Sequence, residues 1–442
     1  MFTARPMVNA ECQRGLFPSI LIIALVSHFV YYYGVINGTY SQVQWLLAIA
    51  VGSLLVGYFF GSVIVPSKER IRNKRRQLVD RIDGKRMKLI SLVFFLVGLL
   101  VHIYFYSSHS FTNYAESYDA SQGFGYITVF FNFIPLSLIL NEFLISRDLM
   151  SKKWTVASRI VLMAFCVFYF LALMKRRQVL FLLLAIMAIW GPRLKPMTKG
   201  LIYLIGIGLL ILFSVFGRVR GYYDANGIIP TVYFVLANFN PEWLAIDSTE
   251  GKYISIILND VNGYVNSYGY NPGILLGVAF CLIPRALLGA SKPMSFPTWY
   301  VATFHPDLYG TGVGFAGSMI AELYLIGGIE FLLLGYVAIG FICARMQRRG
   351  TLKGDPVGNI VYAIFIYTIV LLPRYDLASL VIDIAFIYLP LIWAMKTCTL
   401  KQGRAYSVNA KQNGNAVVAV KRDISPDDVI KSAARENQVW QE

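Results

Sequence analysis

The side chains of this 442-residue chain that invite chemistry are arginines placed against apolar stretches. Arg176 and Arg177 open one apolar run, Arg218 and Arg220 follow another, Arg285 lies within FCLIPRALLG, and Arg374 sits in LLPRYDLAS. A guanidinium is planar, always charged and forked, so it grips phosphate oxygens two at a time where lysine offers a point charge. Away from water, such a set suits a polyanionic ligand. Proton transfer needs a different group, and Glu322 in SMIAELYLIGG is the first candidate base, an ionisable residue in an apolar segment. Its other reading is structural, as partner of an arginine. His305 and Asp307 in FHPDLYG are the alternatives, whereas His28 and His102 lie in apolar runs and read as ordinary hydrogen-bonded side chains. No acidic cluster has metal-ligand spacing, and Cys12, Cys166, Cys281, Cys343 and Cys398 include no CxxC pair. Neither a metal, a cofactor nor a disulfide framework is expected. Gly310, Gly312, Gly314 and Gly317 lack the strand-to-helix setting of a phosphate loop and read as close backbone approach or a hinge.

The elements that must position these groups are membrane helices. The chain is 57% hydrophobic and 14% charged, against about a quarter charged in soluble domains. Its apolar residues come in blocks of about twenty, the length that crosses a bilayer. The net charge of +16 is concentrated between these blocks, above all in 67–88, where ten Lys/Arg face Glu69, Asp80 and Asp83. That is the mark of a cytoplasmic loop under the positive-inside rule. No basic stripe carries interleaved aromatics, which argues against nucleic acid as a partner.

With 67–88 inside, helices are expected at 16–36, 43–65, 88–108, 125–145, 156–174, 178–192, 199–216, 320–343, 357–373 and 377–395. The first is too long for a signal-peptide core and reads as a retained helix. Residues 217–319 form a large periplasmic loop. Within it, 273–290 is apolar but carries Pro284-Arg285, a costly pair in a lipid-facing helix. A true span there would also place Arg345, Arg348, Arg349 and Lys353 outside, so 273–290 is read as re-entrant or interfacial. The expected fold is an all-α polytopic integral membrane protein with about ten transmembrane helices, ten to twelve at the limits. One transmembrane domain covers 1–398, a polar cytoplasmic tail covers 399–442, and both termini are cytoplasmic. Ser425-Pro426-Asp427-Asp428 marks the start of a short helix in that tail. No internal repeat of the transporter kind is present.

This threading puts the arginines on the outer side, where basic residues are scarce. Taken singly, each reads equally well as snorkelling to lipid phosphates or capping a helix end. Together, at one depth, they read as a cationic site. The loop 217–319 adds aromatics and amides, including Trp243, Asn259, Asn262, Tyr264, Asn266 and Trp299, the side chains that stack on sugar rings and bond their hydroxyls. Aromatics also belong to membrane interfaces, so composition alone leaves the sugar role open.

Three stretches, in order, resemble the Wzy-type polymerases of O-antigen, capsule and enterobacterial common antigen. They are MKRRQVLFLLLAI (174–186), FCLIPRALLGASKP (280–293) leading to GTGVGFAGSMIAELYLIGG (310–328), and LLPRYDLAS (371–379). The resemblance covers roughly the second half. An Arg-x10-Gly motif is absent, since Ile229 and Phe296 stand where the glycines would be. The resemblance implies a metal-independent glycosyltransferase at the periplasmic face of the bacterial inner membrane, one that polymerises polysaccharide. It would move a growing glycan from undecaprenyl pyrophosphate onto a lipid-linked repeat unit. Undecaprenyl-pyrophosphate-linked oligosaccharides would be its partners, with a chain-length regulator of the Wzz type beside it. Arg177, Arg220 (or Arg218) and Arg374 match basic positions of the family, and Arg285 falls in a matching segment. With Arg176 they would hold the pyrophosphate, while Glu322, His305 or Asp307 would take the acceptor's proton. Two rival readings use the same residues. An O-antigen ligase shares the donor and would depend on His305; a lipid-linked glycan flippase or exporter would carry its cations at mid-membrane depth.

Overall fold

The computed structural model describes residues 19–64, 81–107, 127–169, 176–190, 228–238, 248–309, 315–350 and 356–400, with positions 198, 222 and 226. The expected helix 199–216, the loop 109–124 and the tail from 401, including Ser425 to Asp428, lie outside these residues.

In chain order the elements are α1 (Ile20–Tyr31), α2 (Tyr33–Ile36), α3 (Gln44–Ile64), β1 (Arg81–Ile82), α4 (Gly84–Ser107), α5 (Phe133–Ser146), α6 (Lys152–Val167) and α7 (Arg176–Trp190). Then come α8 (Ile228–Ala237), α9 (Ser248–Tyr268), α10 (Ile274–Ala279), α11 (Arg285–Leu288), α12 (Phe296–Phe304), α13 (Met319–Gly350) and α14 (Pro356–Leu371). Last are α15 (Leu377–Asp383), a π turn (Ile384–Tyr388), α16 (Leu389–Cys398) and β2 (Thr399–Leu400). Among the described residues, five helices are long and apolar enough to cross a membrane: Ser41–Ile64, Gly84–Ser107, Val129–Ser146, Met319–Gly350 and Leu377–Cys398. Ile20–Tyr31, Gln178–Trp190 and Ile360–Arg374 are shorter apolar helices. The expected blocks within the described residues each fall on one of these helices or on α6.

α4 shows how such a helix chooses its faces. Met87, Ser91, Phe94, Gly98, His102 and Phe105 are buried at helical spacing, whereas Leu89, Leu92, Leu96, Leu100 and Ile103 are exposed. The exposed stripe is the more uniformly aliphatic one. Lipid tails solvate it as well as protein would, and the small and polar residues turn inward to pack and bond. His102 bonds Gly98 O through Nδ1 at 2.6 Å and the Tyr169 hydroxyl through Nε2. His28 does the same between Ala24 O (2.7 Å) and the Tyr336 hydroxyl (3.0 Å).

α3 and α13 run side by side because both carry small residues where they meet. A Cβ on Gly57 would lie 2.0 Å from Val337 O, and one on Gly340 would lie 2.2 Å from Leu54 O. Gly57 and Gly61 are four apart, the spacing that lets helix backbones touch in lipid. At one end of the molecule, Gln347 Oε1 accepts from Ile20 N at 2.9 Å and from the Tyr58 hydroxyl at 3.0 Å, and Arg348 donates to Ser62 O. β1 and β2 pair there, antiparallel, joining Arg81 to Leu400 and Ile82 to Thr399. The pairing places the basic entry to α4 beside the exit of α16.

The other end is built differently. α9 is amphipathic, and Ile254, Ile257, Leu258, Val261 and Val265 bury one stripe against α1, α2 and α13. The apolar run 273–290 is no continuous helix: α10 stops at Ala279, and α11 begins only after Pro284. Neither piece is long enough to cross a bilayer. α13 is itself broken where Gly327 (φ −159°, ψ 32°) and Gly328 (φ 70°, ψ −154°) leave helical geometry. The break frees carbonyls, and Asn271 N donates to Leu325 O at 2.8 Å. At Gly328 the positive φ and the Tyr270 hydroxyl, 2.7 Å from a would-be Cβ, both require glycine.

Two apolar cores result. One joins α1, α3, α9, α12 and α13; the other joins α4, α5, α7, α14 and α16. They meet along α14, where Phe365 and Leu371 touch both.

Gly57→Leu and Gly340→Leu are therefore expected to remove most folded protein, and Gly57→Ala to cost about 1–3 kcal/mol, as overpacking does. Thermal unfolding in detergent measures this. Cysteines introduced at Tyr268 and Asp307 in a cysteine-free background are expected to react with an impermeant maleimide from outside the cell, and those at Lys152 and Arg345, exposed on α13, only after lysis. Labelling of the Arg345 position in intact cells would reverse the assignment of the two ends.

Candidate functional site

Among the described residues of this second end, the turn bearing Arg374 is held by several long-range hydrogen bonds. Leu371 closes α14, Leu372–Arg374 form a 3-10 turn, and Asp376 starts α15. Pro373 explains the stop, since its ring cannot continue a helix. The first N–H groups of α15 have no partner within the helix. Asp376 caps one of them, accepting from Ser379 N at 3.2 Å. Glu322 Oε2 reaches across from α13 to accept from Leu377 N at 2.6 Å. Two carboxylates thus meet the positive end of one helix dipole. A third contact follows: the Tyr375 hydroxyl donates to Asp383 Oδ2. From the other side, the Tyr32 hydroxyl bonds Ser318 Oγ at 2.9 Å and Pro373 O at 3.3 Å. Gly317 lets the incoming chain lie directly on this turn, because a Cβ there would sit 2.7 Å from Asp376 N.

Arg374 itself is exposed while Tyr375 and Asp376 on its C-terminal side are buried, so the turn holds the backbone fast and presents the guanidinium outward. Glu322 is 0% exposed, and among the described residues its Oε1 has no hydrogen-bond partner. It serves the backbone that follows Arg374. His305 stacks flat on Phe315 (centroids 4.7 Å apart, 6° between planes), and Asp307 is exposed in the 3-10 turn after α12. Both belong to the loop layer, where the Tyr300 hydroxyl donates to Asp260 Oδ2 at 2.6 Å. Burial and the Asp260 carboxylate raise the pKa of Tyr300.

α7 begins at Arg176, so Arg176 and Arg177 occupy its first turn. Of Arg176, Arg177 and Arg285 only the backbone is described; Arg218, Arg220, Gly310, Gly312 and Gly314 lie outside the described residues. Gln178, next in line, lines a cavity of about 170 Å³ together with Asn132, Phe181, Tyr367, Asp383 and Ile387. Phe181 and Tyr367 form an edge-on aromatic corner in its wall, with centroids 5.1 Å apart. Gln178 Oε1 is buried without a hydrogen-bond partner among the described residues. The start of α7 and the turn of Arg374 are therefore brought to one place: Gln178 follows Arg177, and Asp383 holds the residue after Arg374.

Asp383, Gln178 and Asn132 are missing from the expected site. The signal for Asp383 was present, as a lone carboxylate in the apolar segment Leu377–Cys398 satisfies the same rule that singled out Glu322. Gln178 and Asn132 are neutral amides that no charge pattern marks. Among the described residues, no group of three His, Cys, Asp or Glu side chains gathers as a metal site would.

A bundle of apolar helices, five of them among the described residues long enough to cross a bilayer, defines a multi-pass integral membrane protein. The family model of the O-antigen polysaccharide polymerase Wzy matches residues 18–402, so the chain belongs to that family. No curated protein and no solved structure matches the chain.

Glu322→Gln keeps an acceptor for Leu377 N and is expected to leave abundance and polymer formation near normal. Glu322→Ala strands that N–H and is expected to cost about 1–3 kcal/mol and reduce polymer. If Glu322 were instead the proton acceptor, Gln would be as damaging to turnover as about 10²–10⁴-fold while abundance held; rates of the two purified variants with lipid-linked repeat units separate the roles.

Proposed function

We propose that this polymerase works at the periplasmic face of the bacterial inner membrane, with about ten transmembrane helices and cytoplasmic termini. It transfers a growing glycan from undecaprenyl pyrophosphate to a single lipid-linked repeat unit. The observation that carries this reading is one polar cavity lined by Gln178, next in the chain to Arg177, and by Asp383, which accepts a hydrogen bond from the residue after Arg374.

The reaction builds charge on the leaving pyrophosphate in a place poor in water. Arg177 and Arg374, with Arg176, Arg218, Arg220 and Arg285 as the further cations, neutralise that charge as fixed, forked donors. The protein does this with no metal. Rigidity matters as much as charge here, because a donor pre-set at the leaving group needs no reorganisation during the reaction. In this scheme Glu322, Asp376 and Tyr32 are positioning residues: their bonds to Leu377 N, Ser379 N and Pro373 O fix the Arg374 turn. His305 and Asp307 stand in the loop layer above, where they and the loop aromatics meet the glycan. A Wzz-type chain-length regulator would bind outside the helices that form this site.

Arg177→Ala and Arg374→Ala are expected to abolish polymer at normal protein abundance, and the lysine variants to restore no more than a small part. The glycan ladder of cells lacking the protein tests the class of reaction. A single repeat left on the core supports polymerase, loss of all attached polymer indicates ligase, and accumulation of lipid-linked repeats on the cytoplasmic side indicates a flippase or exporter. Full activity with lysine at both positions would reduce the arginine set to general lipid anchoring.

A further inference from the structure

The cavity next to Asp383 is explained neither by packing nor by the arginines. Membrane helices fill their interiors with small apolar contacts, and a polar hollow among them is costly unless something occupies it. Its room of about 170 Å³ equals roughly six waters. That is room for one sugar ring. Its walls alternate in the manner a sugar requires. Asn132, Gln178 and Asp383 supply hydrogen-bonding groups, while Phe181 and Tyr367 supply flat apolar surface for the C–H face. The buried Oε1 of Gln178 has no partner among the described residues and is placed to accept from a hydroxyl.

The depth is also telling. Asp383 closes α15, a helix of seven residues, so it lies about 10 Å along the axis from the Arg374 turn. A phosphate held by the arginines and a ring held by the cavity would be neighbours, with the reacting atoms between them. Asp383 is 6% exposed and is followed at once by the π turn Ile384–Tyr388, a departure from α-helix that recurs at functional sites. The Tyr375 hydroxyl donates to its Oδ2, which orients the carboxylate and couples it to the residue beside Arg374.

We propose that this cavity is the acceptor-sugar subsite and that Asp383 receives the proton of the attacking hydroxyl, an assignment that rests on the polymerase reading. The acceptor oxygen forms a bond to the donor's anomeric carbon while the bond from that carbon to the pyrophosphate oxygen breaks. The bonding pair leaves with the lipid pyrophosphate, and the hydroxyl proton passes to the Asp383 carboxylate, which later returns it to water. Gln178 Oε1 accepts from a second ring hydroxyl and sets which oxygen faces the donor.

The test uses the full-length protein in nanodiscs with a radiolabelled lipid-linked single repeat unit as acceptor and a lipid-linked oligomer as donor. Asp383→Asn is expected to lower kcat by about 10²–10⁴ with acceptor KM changed less than threefold and abundance normal. Val129→Phe fills the cavity from its apolar wall without removing a polar group. It is expected to raise acceptor KM at least tenfold with donor binding unchanged. A wild-type kcat for abundant Asp383→Asn would overturn the assignment of the base. Should that variant fail to accumulate, an unchanged acceptor KM in Val129→Phe would overturn the subsite by itself. Absence of any elongation by the wild-type protein would count against the polymerase reading before either variant is judged.

Discussion

A turn can hold a charged side chain in a fixed place beside a bilayer only if its own backbone groups are satisfied, and the turn of Arg374 meets that condition with groups drawn from distant parts of the chain. Its arginine is exposed. Behind it, Leu377 N is taken by Glu322, Ser379 N by Asp376, and Pro373 O by Tyr32. In water these groups would find partners anywhere. In a helix bundle each unmet group costs several kcal/mol, so the acids are not interchangeable ornaments. They explain why α13 must break at Gly327–Gly328, since a short, separately aimed first segment brings Glu322 to the turn. They also explain why Gly317 lies directly on Asp376.

The same turn joins the two cores. Leu372 and Tyr375 pack with α1 and α13, while Tyr367, eight residues before Tyr375, and Ile387 pack with α5 and α7. A displacement of one bundle against the other would therefore be felt at Arg374 and, through Tyr375 and Asp383, in the cavity. In the proposed reaction, this makes the arginine and the acceptor subsite one mechanical unit.

Most of the architecture was legible because lipid imposes a coarse rule: apolar blocks of helix length, basic loops between them. The break of 273–290 was readable from Pro284, whose physics is local. The break of α13 was not, because two glycines in an apolar helix are ordinary until Tyr270 and Asn271 arrive to fill the gap, and these come from fifty residues away in the chain. The proposed site is legible in the sequence to the extent that charge marks it. Arg177 and Arg374 stood out as cations on the wrong side; Glu322 stood out as an acid among aliphatics, but which of its two roles it plays depends on the N–H it meets. Asp383, an acid in the apolar segment Leu377–Cys398, meets the same criterion. Gln178 and Asn132 carry no charge and gain meaning only from the hollow they face.

A division of labour follows from the difference between the two kinds of group. Guanidinium ions stay charged at any depth and remain strongly attracted to anions, so they belong at the surface, where lipid pyrophosphates arrive and depart. A carboxylate that must take up and release a proton works best where it is shielded from those cations, because an adjacent arginine would hold it ionised and make it a poor acceptor. In the proposed reaction the chain separates Asp383 from Arg374 with one helix. Arg374 sits before the start of α15, Asp383 at its end, and the helix between them sets the gap. Tyr375 bridges the two with a neutral hydroxyl, which orients the carboxylate without adding a charge. The acids closer to the arginine, Glu322 and Asp376, are committed to backbone N–H groups. Anion binding and proton transfer can then coexist within a few turns of helix, each in the surroundings its chemistry requires.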